Sequence, residues 1–134
     1  MKKILDFVTW GFLVLFFVPT TLIVASWNAL PGDPLYGTKL TLESTLLFFA
    51  KPAYAAAGPL NVKYTERRFA ETKRLLSDKQ SVEGLPYLER QVSATKRVID
   101  RAPNAKAKKK LAQTYLSTLR DVSAELETQK QAIA

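Results

Sequence analysis

The chain contains no cysteine and no histidine among its 134 residues. It therefore has no disulfide, no thiolate or imidazole ligand for a metal, and no histidine base for a catalytic triad. Glycine-rich phosphate loops are absent, and the acidic residues are scattered along predicted helices instead of converging as an acid–base pair would. We therefore predict no catalytic residue, no metal site, no cofactor and no enzymatic activity. The lack of cysteine does not identify a cellular compartment.

Charge is missing from one long stretch, Phe7–Trp27. As a helix, its roughly 21 residues would extend about 31 Å, and the hydrocarbon core of a bilayer is about 30 Å thick. The sequence therefore predicts one transmembrane helix within residues 1–29. Lys2 and Lys3 precede this segment and the next basic residue is Lys39, so the positive-inside rule places the N-terminus in the cytoplasm and the rest outside it. The predicted localisation is the cell membrane, with a single pass.

A cleaved signal peptide is the alternative for the same residues. Lys2 and Lys3 provide its basic start, Phe7–Val18 its apolar stretch, and Val24-Ala25-Ser26 an acceptable cleavage context. The apolar run continues through Val24 without a polar break, and Trp27 falls where an aromatic interface anchor belongs. These two features favour an uncleaved signal-anchor.

A junction follows at residues 30–58. Pro31-Gly32 predicts a turn, Asp33 is a candidate helix cap, and Pro34 suits a first helical position because it loses no needed donor there. Lys39 and Glu43 lie four residues apart on the helix that follows, so their side chains can pair.

The motif PGDPLY, followed by a lysine and a glutamate and later by a helix with ERRFAE, resembles a bacterial membrane-anchored helical domain of unknown function. That domain is found in extracytoplasmic and anti-sigma-factor-like proteins. The resemblance extends from about Leu30 to Asp78 and implies a helical domain after a single span, with no agreed activity. The matching positions are Pro31, Gly32, Asp33, Pro34, Leu35, Tyr36, Lys39, Glu43, Glu66, Arg67, Arg68 and Glu71.

One segment departs from that family pattern. After Phe48-Phe49 the chain inserts Ala50–Pro59, which is longer and more apolar than the charged turn that the resemblance implies. Two placements remain open for this segment, either in the core or in the outer headgroup layer, where Phe48, Phe49, Lys51 and Tyr54 would suit the boundary.

The remaining sequence predicts helices only. A helix at Tyr36–Phe49 precedes a second from Pro59 to about Lys79, a third from about Leu85 and a fourth from about Ala105. The second helix carries a weak heptad seam. Its members are Val62, Thr65, Phe69, Thr72 and Leu76. The seams of the last two helices are Leu85, Leu88, Val92, Thr95, Ile99 and Ala102, and Ala112, Tyr115, Leu119, Val122, Leu126, Gln129 and Ile133.

These patterns predict an all-α chain in which the transmembrane helix precedes a small helical bundle or antiparallel helical hairpin at residues 59–134.

The formal net charge is +8, and most of it lies beyond Pro59. Four lysines form a cluster at the start of the last helix, where cations oppose the helix dipole. The lysine cluster consists of Lys106, Lys108, Lys109 and Lys110. It has two interpretations, an anion-binding site or a solvated turn. We expect no nucleic-acid partner, because no recognised docking motif accompanies the basic residues.

The sequence thus predicts a membrane-anchored extracytoplasmic helical domain that acts as a protein-interaction, scaffold or sensor-like module. Its expected partners are the lipid bilayer and either a protein bound through helical faces or an anionic envelope polymer. The alternative is a secreted helical protein, released by signal-peptide cleavage, that binds anionic envelope components.

Overall fold

The structure, a computed structural model, describes the backbone of residues 2–133. Side chains at 2–5, 7, 8, 129, 130, 132 and 133 lie outside the described set, and with them the predictions made for Lys2, Lys3, Gln129 and Ile133. The helices are α1 (Lys2–Ser26), α2 (Tyr36–Ala50), α3 (Tyr54–Lys79), α4 (Leu85–Asp100) and α5 (Ala105–Ile133). Over residues 2–133 the structure contains no strand, so the all-α prediction is confirmed.

Two helix starts differ from the sequence prediction. Helix α3 begins at Tyr54 and not at Pro59, so residues 54–58 are helical where an apolar loop was expected. Alanine has the highest helix propensity, so the run Ala55–Ala57 favours a helix ahead of Pro59, and α3 continues through the proline. Helix α2 begins at Tyr36, so Pro34 lies in the turn before the helix and not at its first position.

The chain divides into two compact units, residues 1–45 and residues 46–134. The first unit holds α1 and most of α2, and the second holds the end of α2 together with α3, α4 and α5. The division into segments 1–29, 30–58 and 59–134 stays a prediction.

The second unit is a three-helix bundle built on α3. Helix α3 packs most extensively against α4, less against α5, and α4 contacts α5 least. The hairpin expected from the two last helices is therefore part of a bundle in which both pack on α3. Gly84, at the start of α4, allows the closest approach, since a Cβ atom there would lie 2.8 Å from the Cα of Thr72.

The bundle has a small apolar cluster. Its buried members are Val62, Ile99, Leu111 and Tyr115. Of the heptad seam predicted on α3, Val62, Thr65, Phe69 and Thr72 are buried, which confirms that this face points inward. Leu85 was expected in the seam of α4 but is exposed, whereas the neighbouring Gly84 is buried and packs against Thr72.

Threonine side chains fill much of the contact between α3 and α4. Thr65, Thr72 and Thr95 have no exposed surface. The hydroxyls of Thr65 and Thr95 are 2.9 Å apart across the two helices, and Thr95 also donates to the Asn61 carbonyl at 3.1 Å. Gln91 donates to the same carbonyl at 3.2 Å. The bundle therefore joins α3 to α4 by hydrogen bonds as well as by apolar packing.

Candidate functional site

Helix α1 exposes its apolar side chains. Trp10 is 69 % exposed and Phe17 67 %, and Phe12, Leu15 and Val24 are similarly uncovered. The segment Thr9–Ser26 is long and apolar enough to cross a membrane, and a signal sequence would meet the same description. A helix that is apolar on all sides is stable only when something apolar surrounds it.

Three hydroxyl side chains near the C-terminal end of α1 are satisfied within the helix. Thr20 donates to the Phe16 carbonyl at 2.6 Å, and Thr21 donates to the Phe17 carbonyl at 2.9 Å. Ser26, at the end of the helix, donates to the Ile23 carbonyl at 2.9 Å. Hydroxyls in hydrocarbon have no water to bind, so these internal hydrogen bonds make the three residues compatible with a bilayer.

The predicted turn after α1 is held by Asp33. Its carboxylate accepts from the Leu30 N–H at 2.8 Å, and its own N–H donates to the Leu30 carbonyl at 2.9 Å. Gly32 between them has φ of 94°, a conformation that side-chain-bearing residues rarely adopt. The turn therefore requires both the glycine and the aspartate of the PGDPLY motif.

Lys39 ties the start of α2 back to the turn. Its ammonium donates to the Ala29 carbonyl at 2.8 Å and lies 5.6 Å from the centre of the Tyr36 ring. Lys39 is only 4 % exposed, and Tyr36 and Glu43 are also buried. The pairing of Lys39 with Glu43 stays a prediction, and the contact that the structure shows for the Lys39 ammonium is the one that closes the junction.

The second motif block contains a buried ion pair. Arg68 Nη1 lies 2.5 Å from Glu71 Oε2, and both side chains are buried. Arg67 Nε lies 3.8 Å from the other Glu71 oxygen, and Glu66 accepts from the Thr118 hydroxyl at 3.0 Å, which links α3 to α5. The charged residues of the ERRFAE block therefore pair with one another or bond to α5, as the alternation of charges predicted.

An aromatic patch lies at the beginning of the second unit. Phe48 is 71 % exposed and Phe49 73 %, their ring centroids are 5.7 Å apart, and Leu46 beside them is also exposed. Lys51 follows within two residues and is exposed too. The structure divides the segment whose placement was left open: Phe48, Phe49 and Lys51 are exposed and do not pack in the core, whereas Tyr54, at the start of α3, packs against the apolar cluster. Placement of the exposed residues in a headgroup layer stays a prediction.

The four members of the lysine cluster are exposed around the first turn of α5. Asn104 caps this helix, because its side-chain oxygen accepts from the Ala107 N–H at 2.8 Å. Lys108 Nζ lies 3.3 Å from Asp100 Oδ1, so part of the positive charge is compensated by α4. The other three lysines extend the positive surface of the helix N-terminus.

A cavity of about 770 Å³ opens between α3 and the start of α5. Apolar side chains such as Tyr54, Val62 and Leu111 form much of its wall. Lys63 on α3 and Lys110 on α5 also line it. Sequence reasoning did not identify this cavity, because Lys63 and Lys110 are 47 positions apart and only the packing of two helices brings them to one opening.

Over the described residues no group of three or more histidine, cysteine, aspartate or glutamate side chains is arranged to hold a metal ion. The candidate features of the first unit are the exposed helix α1 and the junction turn, and those of the second unit are the aromatic patch and the basic cavity.

No family model matches the chain, and neither a curated protein nor a solved structure matches it. The resemblance through PGDPLY and ERRFAE therefore stays a prediction from the sequence.

Proposed function

We propose that the protein is a single-pass membrane protein that holds a small helical bundle outside the cytoplasm as an interaction module. The observation that carries the proposal is helix α1, whose large apolar side chains are exposed along its length. Exposing this apolar surface to water costs free energy, and surrounding it with the hydrocarbon of a bilayer would remove that cost. The internally bonded Thr20 and Thr21 and the exposed Phe48 and Phe49 are further support, since aromatic rings next to a lysine suit the headgroup layer.

The orientation with the N-terminus in the cytoplasm follows from Lys2 and Lys3. Because the chain lacks cysteine, a single introduced thiol reports its own position without background. Asp6→Cys and Ser93→Cys place thiols at exposed positions on α1 and α4. On intact cells an impermeant maleimide should label Ser93→Cys, and should label Asp6→Cys only after permeabilisation.

The same cells distinguish the anchor from a cleaved signal peptide. The anchored protein should stay in the membrane pellet after carbonate extraction and keep residues 1–26 by mass spectrometry. A mature chain that starts near Trp27, or a chain released by carbonate, would refute the anchor. Labelling of Asp6→Cys alone on intact cells would refute the orientation.

The interaction role is supported by the exposed lysine cluster on a bundle of high positive charge. Anionic envelope polymer immobilised on beads should retain the detergent-solubilised protein at low salt and release it at high salt. Replacing all four lysines by glutamine should abolish retention. Retention of the variant on the polymer would refute a role for the lysine cluster. A protein would then be the proposed partner, and crosslinking in native membranes would identify it.

A further inference from the structure

The cavity between α3 and α5 combines an apolar wall with a basic rim. Its volume of about 770 Å³ falls in the range of small-molecule sites, which are concave, mostly apolar and supplied with a few polar groups. Both walls belong to the same compact unit. The cavity therefore has the size and composition of a ligand site.

The charged side chains of the lining determine which ligand fits. Lys63 and Lys110 line the cavity and are exposed, so their ammonium groups can reach a bound anion. Glu66 is the acidic residue of the lining, and it accepts from Thr118 at 3.0 Å. The N-terminus of α5 contributes its partial positive charge at the same end, where Asn104 also lines the cavity. The rim therefore favours a negative group.

Tyr54 gives a second, independent indication. Its ring packs against the apolar cluster, and it lines the cavity. Its hydroxyl is buried, and among the described residues it makes no hydrogen bond. A buried hydroxyl without a partner loses its hydrogen bonds to water and gains none in return. A ligand that carries an acceptor into the cavity would satisfy this donor.

We propose that this cavity binds an anionic amphiphile with a single acyl chain, such as a fatty acid, whose chain lies against Val62 and Leu111 and whose carboxylate meets Lys63, Lys110 and the Tyr54 hydroxyl. The site is distinct from the lysine cluster as a whole, since only Lys110 of the four lysines lines the cavity. Binding of such a ligand by the bundle would be independent of the membrane anchor and of polymer binding.

The test uses the full chain in nanodiscs of phosphatidylcholine and a fatty acid that carries a photoreactive diazirine on its chain. After illumination, labelled peptides are mapped by mass spectrometry. Peptides of α1 should be labelled because of the surrounding lipid, and peptides of α3 and α5 that line the cavity should be labelled because of the site. The α1 signal thus reports the anchor, and the α3 and α5 signals report the cavity.

Two double variants of equal net charge separate the cavity from general attraction. Lys63→Gln with Lys110→Gln should weaken α3 and α5 labelling about tenfold, because two partly exposed charge contacts are removed. Lys106→Gln with Lys109→Gln removes the same charge from exposed positions that do not line the cavity, and it should leave the labelling unchanged.

Thr114→Trp, at an exposed lining position, should exclude the acyl chain of the fatty acid and abolish the labelling of α3 and α5.

Several results would overturn the proposal while leaving the anchor intact. They are labelling of α1 without α3 and α5, equal loss in both double variants, or persistence of labelling in Thr114→Trp. Equal labelling by a fatty alcohol with the same diazirine would refute the anionic requirement. Labelling of α3 and α5 without α1 would instead support the cavity and refute the membrane span.

Discussion

Helix α1 and the three-helix bundle distribute polarity in opposite ways. Phe12, Leu15 and Phe17 of α1 are exposed, whereas the bundle buries Thr65, Thr95 and Arg68. In α1 the hydroxyls of Thr20 and Thr21 bond to carbonyls of the same helix, but Thr95 bonds across to α3. The two parts therefore differ in where their apolar side chains lie, on the surface in α1 and inside in the bundle. Helix α1 can satisfy its polar groups without water or neighbours, and the bundle uses its polar groups to join helices.

The largest expected effect comes from placing an arginine on the exposed apolar surface of α1. The same substitution at an exposed leucine of the bundle is the control. Leu15→Arg, in the middle part of α1, should disfavour membrane insertion by about 2.5–3.5 kcal/mol, because the charge would lie in hydrocarbon. The fraction of the chain that resists carbonate extraction measures this loss. The matched control is Leu116→Arg on α5, where the leucine is 52 % exposed.

In water an exposed leucine tolerates arginine, so Leu116→Arg should change the free energy of unfolding of the bundle by no more than about 0.5 kcal/mol. Urea unfolding followed by circular dichroism measures it. Insertion of Leu15→Arg at the wild-type level would show that the exposed surface of α1 does not face lipid, and the contrast between the two units would fail.

The close contact of α4 with α3 gives the next effect. Gly84→Ala would place a methyl group 2.8 Å from Thr72 Cα, so the helices must separate and the bundle should lose about 1–3 kcal/mol. Gly37→Ala on α2 is the control, since a Cβ there meets no atom within 4 Å. It should leave stability unchanged or raise it by up to about 1 kcal/mol. Equal urea midpoints for the two variants would contradict the close contact.

Thr95→Val tests whether the buried hydroxyls join the helices. Removing the Thr95 hydroxyl should cost about 1 kcal/mol, because its bonds to Thr65 and to the Asn61 carbonyl are lost. Thr65→Val combined with Thr95→Val should cost less than the sum of the single changes, since neither hydroxyl is left without its partner. Thr128→Val, at an exposed threonine that bonds within α5, is the control. Additive costs in the double variant would mean that the two threonines act independently.

The smallest effect is a dependence of bundle stability on alkaline pH. Burial raises the pKa of Tyr115 above the usual 10.0, and its hydroxyl donates to the Val92 carbonyl at 3.2 Å. The folded state therefore favours the neutral phenol. The contribution of Tyr115 to the free energy of unfolding is complete at pH below 10, where the phenol is protonated in both the folded and the unfolded state. It is lost as the pH rises through the raised pKa of the folded state.

Urea unfolding on either side of the tyrosine transition, at about pH 9 and about pH 11, measures the loss. Tyr115→Phe should reduce the loss, and the remainder should include Tyr54, whose pKa burial also raises. An identical pH dependence in wild type and Tyr115→Phe would refute the assignment to Tyr115.

Much of the fold follows from local patterns in the sequence. The uncharged run predicts α1, the heptad of Val62 and Phe69 predicts the inward face of α3, and Pro103 marks the gap before α5. The start of α3 was wrong because Pro59 is a strong local signal, whereas the helix depends on the alanines before it. The prediction for Leu85 failed because the residue that meets α3 at the start of α4 is Gly84, which has no side chain to contribute to an apolar periodicity.

The candidate site depended on tertiary structure to a greater degree. The sequence identified Asp33 and Lys39 as motif residues, but not that Lys39 would reach back to the Ala29 carbonyl. It singled out Lys110 within a cluster of lysines and gave no reason to separate it from Lys109. The sequence did not identify Lys63 as a candidate site residue, because an isolated lysine on a helix cannot be distinguished from other solvent-exposed lysines.

The helices and the apolar length of α1 could be predicted from the sequence, since helix propensity and the length of an apolar run act within a few turns of chain. Tertiary structure decided how close Gly84 comes to Thr72 and which lysines share a cavity with Tyr54. These features depend on distances between residues far apart in the chain. Such distances are set by how complete helices pack, which no local pattern encodes.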